Sequence, residues 1–121
     1  MAKNYIEVDG VKFVKESTIK KEAQKKDGLT LCMLRTYSAG VWYGYVDYDK
    51  AEYLNCEVLE AVRVWKWYGA FTLSALATDG TDKADDCRFA IEIDKIKLSR
   101  VVEFIPITEK SLKTLSKVKR G

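Results

Sequence analysis

The segment Arg63-Val64-Trp65-Lys66-Trp67-Tyr68-Gly69 gathers side chains suited to holding a nucleotide. Alternate residues of a strand share a face, which is expected to align Arg63, Trp65 and Trp67. Two indoles and a guanidinium in a row can stack a purine base and pair with a phosphate. A strand with both indoles in the core accounts for the same residues. Arg63 weighs against that second account, because a buried guanidinium needs a partner.

A second constellation is Arg35-Thr36-Tyr37-Ser38-Ala39-Gly40-Val41-Trp42-Tyr43-Gly44. Beside Arg35, the small residues Ser38 to Gly40 can offer backbone N–H groups and a hydroxyl to a phosphate. An ordinary hairpin turn also uses Ser and Gly for its geometry. The segment is not a P-loop, since the Gly-Lys pair and its spacing are missing. Third, Gly69-Ala70-Phe71-Thr72 is expected to open a helix directly after the aromatic strand. A helix N-terminus attracts anions; a plain helix start explains the same residues. The candidate ligand-binding set is therefore Arg35, Ser38, Gly40, Arg63, Trp65, Trp67 and Phe71.

No catalytic set accompanies these residues. The chain contains no histidine, so Ser-His-Asp and Cys-His mechanisms are impossible. Lys and carboxylate chemistry stays open, but no constellation points to it. Cys32, Cys56 and Cys87 are odd in number and far apart, which implies no disulfide framework. Without C-x-x-C spacing or imidazoles they make no zinc site. Small buried hydrophobes are the better reading of all three. Asp79, Asp82, Asp85 and Asp86 lack EF-hand spacing and are expected on an exposed loop. No metal and no cofactor is expected.

Several elements must position the candidate residues. Tyr5–Val8 and Val11–Val14 flank Asp9-Gly10, a strong hairpin signal. Residues 17–26 are expected to be helical, capped by Ser17 and ended by Asp27-Gly28. Strands are expected at 29–37, 41–48 and 56–68, then a short helix at 70–77 and a loop at 78–86. Arg88 to Ile93 alternates so as to put Phe89, Ile91 and Ile93 on one face. Val101 to Ile105 is expected as a strand stopped by Pro106. Thr108 is expected to cap a last helix with Leu112, Leu115 and Val118 as its apolar row. The fold class is α+β, an antiparallel β-sheet with a few flanking short helices, including N-terminal and C-terminal ones. It forms a single domain: hairpin and helix over 1–28, a β-rich core over 29–107, and a C-terminal helix over 108–118.

The 121 residues are enough for one real core, and 47% of them are apolar. No apolar run approaches the roughly 20 residues of a membrane span. Met1-Ala2-Lys3-Asn4-Tyr5 does not resemble a signal peptide, so a cytosolic location is expected. The net charge of +3 is segregated: residues 27–107 carry 9 basic and 13 acidic side chains, and the ends carry the excess of positive charge. That pattern runs against a central nucleic-acid platform. Lys110, Lys113, Lys117, Lys119 and Arg120 form a run that suits a solvated face, or contact with a nucleic acid or phosphate.

Taken together, Asp9 to Val14, Arg35 to Val41, Arg63 to Ser74, Cys87-Arg88-Phe89 and Glu103 to Lys110 resemble a small phage family. It is the first type of Thoeris anti-defence sponge, and the resemblance runs over most of the chain. The resemblance implies a phage protein, acting in the host cytoplasm, that blunts a bacterial immune system. In that system a TIR-domain enzyme makes a cyclic ADP-ribose isomer from NAD, and the isomer activates an effector. The sponge sequesters the isomer without cleaving it, and some members also hold cyclic oligonucleotides. The resemblance further implies a homo-oligomer with pockets near subunit contacts. It assigns no individual pocket residue here. Two other readings stay open: a single-stranded nucleic-acid binder using the aromatic strand, and a structural or protein-interaction subunit in which the indoles are core or interface anchors.

Overall fold

The computed structural model describes residues 5–8, 11–14 and 21–121. Strands β1 (Tyr5–Val8) and β2 (Val11–Val14) pair antiparallel, with Val8 opposite Val11 as a two-residue connection requires. The remaining strands form one antiparallel sheet: β3 (Thr30–Thr36), β4 (Val41–Val46), β5 (Cys56–Lys66), β6 (Arg88–Phe89), β7 (Ile93–Leu98) and β8 (Val101–Pro106). The order is β6-β5-β4-β3-β8, and β7 shares the outer edge of β5 with β6. Helices α1 (Leu73–Asp79) and α2 (Glu109–Leu115) complete the α+β fold.

The sheet is buried on both faces in its centre. Every residue of β3 except Arg35 is buried, which fits its near-continuous apolar run. On one face Leu31, Met33, Tyr43, Val62, Val64 and Phe89 pack under Leu73, Leu76 and Ala77 of α1, Leu115 of α2 and Val118 beyond it. On the other face Cys32, Leu34, Trp42, Val46, Cys56, Val58, Ala61, Leu98 and Val101 form a second cluster.

Caps place both helices. The Thr72 hydroxyl accepts from the Ala75 N–H, and the Thr108 hydroxyl accepts from the Ser111 N–H. Leu115 and Val118 are buried as their row implies, and Leu112 is half-buried.

Three local expectations give way. Residues 17–20 of the expected first helix lie outside the described residues, and 21–26 are not helical. Ala23 instead donates its N–H to Ile107 and Lys21 accepts from Glu109, so this segment is tied to the chain beyond β8. Its weak apolar pattern cannot nucleate a helix against those tertiary bonds. Arg88 to Ile93 is not one alternating strand. Phe89 pairs with Val64 on the helical face, whereas Ile93 pairs with Ala61 of the opposite cluster. The cause lies in the link between β6 and β7: three residues, 90–92, separate Phe89 from Ile93, whereas two, 62 and 63, separate their partners Val64 and Ala61, so the alternation slips by one. Ile91 is left 64% exposed. Finally, α1 begins at Leu73, so Gly69 to Phe71 are not its first turn.

Candidate aromatic groove

The Ser38 turn is held from inside. The Thr36 N–H and Thr36 hydroxyl both donate to the Gly40 carbonyl, at 3.1 and 2.7 Å. The same hydroxyl accepts from the Ala39 N–H at 2.8 Å. Gly40 has φ +89°, a conformation that costs glycine nothing. Ser38 is left exposed, and no protein group among the described residues bonds to it.

Arg63 reaches this turn from β5. Its Nη2 donates to the Ala39 carbonyl at 2.8 Å, and the Trp42 indole N–H donates to the same oxygen at 3.0 Å. The guanidinium lies 4.8 Å from the Trp42 ring centroid, a cation–π distance. Trp42 and Arg63 are direct partners across β4 and β5. Nε and Nη1 of Arg63 bond to nothing among the described residues.

The expected single face of Arg63, Trp65 and Trp67 does not exist. Arg63 shares the face of Trp42, but Trp67 is half-buried against the helix-side cluster. A second irregularity of β5, between Val64 and Lys66, breaks the alternation there. The three side chains still converge at the end of the strand. Together with Ser38, Ala39, Gly40, Val41 and Val64 they line one open groove of about 410 Å³. Five of the seven expected residues meet in this groove. Trp65 is 58% exposed there.

Arg35 and Phe71 do not line it. Arg35 sits on β3 and its Nε is 2.6 Å from the Glu103 carboxylate of β8, its cross-strand partner. Phe71 is fully exposed just ahead of the Thr72 cap. Trp42 and Thr36 were not foreseen as site residues. The sequence signal for Thr36 is weak: a hydroxyl four residues before a glycine.

The thiols offer no nucleophile here. All three cysteines are free and buried. Burial pushes Cys32 up to about 12 and Cys56 up to about 11. Among the described residues no group of three or more His, Cys, Asp or Glu side chains is arranged to hold a metal, and no helix is long and apolar enough to cross a membrane.

An open aromatic groove at the end of an antiparallel sheet is thus where five of the candidate residues meet. The chain belongs to the family described as a domain of unknown function (DUF6948), which matches residues 29–115 and so takes in the whole groove. No curated protein and no solved structure matches the chain.

Proposed function

We propose that the protein is a non-catalytic nucleotide-binding module whose ligand lies in the groove between Arg63, Trp65, Trp67 and the Ser38 turn. One observation carries this reading: the guanidinium and two indoles of residues 63–67 and a small-residue turn more than twenty residues before them line a single groove of about 410 Å³. That volume falls within the range of small-molecule sites. The base lies against the indoles. The phosphates face the open edge of Arg63 and the unpartnered Ser38 hydroxyl.

The ligand class follows from the sequence resemblance, which supports a cyclic ADP-ribose isomer as the bound signal. In this reading the protein is a phage anti-defence homo-oligomer of the host cytoplasm that sequesters the signal, and cyclic oligonucleotides are further candidates. A protein-interaction subunit is the second reading. The exposed Trp65, Tyr68 and Phe71 on neighbouring segments favour it.

A thermal-shift panel of NAD, ADP-ribose, cyclic ADP-ribose isomers, cyclic oligonucleotides and single-stranded DNA tests the proposal. A ligand bound only by the folded state raises the melting temperature. A shift with a cyclic ADP-ribose isomer, followed by recovery of that isomer intact after heat denaturation, is the expected result. Recovery of ADP-ribose shows an enzyme instead. A panel in which no nucleotide shifts the melting temperature defeats the binding reading and leaves the interaction subunit.

A further inference from the structure

A second groove lies where the chain's last residues meet β6. It has a volume of about 430 Å³ and is lined by Arg88, Phe89, Lys119, Arg120 and their neighbours. It shares no lining residue with the aromatic groove. Arg120 forms a parallel bridge with Phe89, and Gly121 donates its N–H to the Phe89 carbonyl at 3.0 Å. The tail thus adds a short strand to the sheet edge, and this backbone pairing brings Lys119 and Arg120 beside Arg88.

Both guanidinium groups are fixed by neutral protein groups. Nη1 of Arg88 donates to the Asp85 carbonyl at 3.0 Å and to the Cys87 carbonyl at 2.9 Å. Nη2 of Arg120 donates to the Tyr43 hydroxyl at 2.6 Å. The Arg120 guanidinium lies 5.6 Å from the Tyr43 ring centroid and 5.9 Å from that of Phe89. Among the described residues neither arginine, nor Lys119, pairs with a carboxylate. Among the described residues Nε and Nη2 of Arg88, and Nε and Nη1 of Arg120, bond to nothing.

We propose that the groove between Arg88, Lys119 and Arg120 is an anion site for a terminal phosphate, as in a phosphomonoester or pyrophosphate. Pre-set guanidinium forks match the paired oxygens of a phosphate. Three cations outnumber the acidic groups of the lining, the Asp85 side chain and the Gly121 carboxyl end. This excess of positive charge favours a dianionic terminal phosphate over the single charge of a phosphodiester. The site does not depend on the aromatic groove or its ligand.

Calorimetric titration of the full chain with inorganic pyrophosphate, at low ionic strength, tests the site. Saturable binding is expected, with dimethyl phosphate at least about tenfold weaker. Arg88→Ala and Lys119→Ala should each weaken pyrophosphate binding about tenfold, while Lys95→Ala, at an exposed position of β7 that lines neither groove, leaves it unchanged. Arg120 is spared because it also packs on Tyr43 and Phe89. Among the described residues the Lys119 side chain bonds to nothing, so its variant reports even if Arg88→Ala fails to fold. The site is overturned if pyrophosphate gives no saturable heat. It is equally overturned if Lys119→Ala binds as tightly as the parent, or if Lys95→Ala loses as much binding as Lys119→Ala.

Discussion

Arg63 carries two duties through different nitrogens. Nη2 holds the Ala39 carbonyl and the ring plane rests by Trp42, so part of the residue belongs to the fold. Nε and Nη1 bond to nothing among the described residues, and Arg63 lines the groove. Arg63→Ala therefore has a mixed outcome. An exposed cation–π contact and one hydrogen bond together stabilise by about 1 kcal/mol, and that much should be lost. Nucleotide affinity should fall at least about tenfold, since a charge-assisted bond to phosphate is worth more. Trp65 is the cleaner probe, because its indole is more than half exposed. Trp65→Ala should leave stability within about 0.5 kcal/mol. A stacked base should lose about 1–3 kcal/mol of binding. Calorimetry and urea unfolding on each variant separate the two quantities. Unchanged binding by Trp65→Ala would mean that no base rests on that indole.

β5 is the element that shapes the site, and it does so by being irregular. Its extra residue at Glu60 lies across from Gly44 of β4, where the ladder shifts between Tyr43 and Tyr45. Gly44 lets the two strands close over that bulge. A Cβ there would sit 2.5 Å from Val58 Cγ1 and 2.8 Å from the Leu59 carbonyl oxygen. Gly44→Ala should thus lower stability by about 1–3 kcal/mol, as overpacking does. The check is a lower urea midpoint at an unchanged slope; an unmoved midpoint would show that the bulge yields freely. The bulges also explain what the sequence concealed. Turn residues and apolar runs placed β3, β4, β8 and the Thr108 cap close to where they lie. Ser38, Gly40 and the aromatic run identified the groove. A bulge leaves no such local mark, so the opposite faces of Arg63 and Trp67 were illegible, as was the extra residue in the 90–92 link that parts Phe89 from Ile93. β7 was missed because its Ile-Asp-Lys-Ile-Lys-Leu is mostly exposed and weakly patterned. Residues 21–26 misled for the reverse reason: helix-like composition was overruled by bonds to the segment after β8.

At the scale of the whole molecule, burial on both faces of one sheet sets the response to alkali. Cys32 and Cys56 lie in the cluster opposite the helices, and Tyr43 lies beneath α1 and α2. Burial raises Cys32 from an ordinary 9.0 to about 12 and Cys56 from 9.0 to about 11. Tyr43 rises from 10.0 to about 12, through burial first, with Arg120 opposing and Glu92 adding to it. Each group is neutral when protonated, and the folded state keeps its proton longer than the unfolded chain does. Above pH 9.0 the unfolded chain loses protons that the fold retains, so stability falls as pH rises. Below that pH both states are protonated and these groups leave stability flat. Each unit of separation corresponds to about 1.4 kcal/mol, so the decline should amount to several kcal/mol by about pH 11. Urea midpoints measured from neutrality upward should show a plateau to about pH 9 and then a steady descent. Cys56→Ala should start from a lower plateau, because it leaves a cavity. Its descent should also be shallower, because one titrating group is gone. A midpoint that holds level through about pH 11 would mean that the folded chain ionises as readily as the unfolded one, and that the thiols are not sealed inside the sheet.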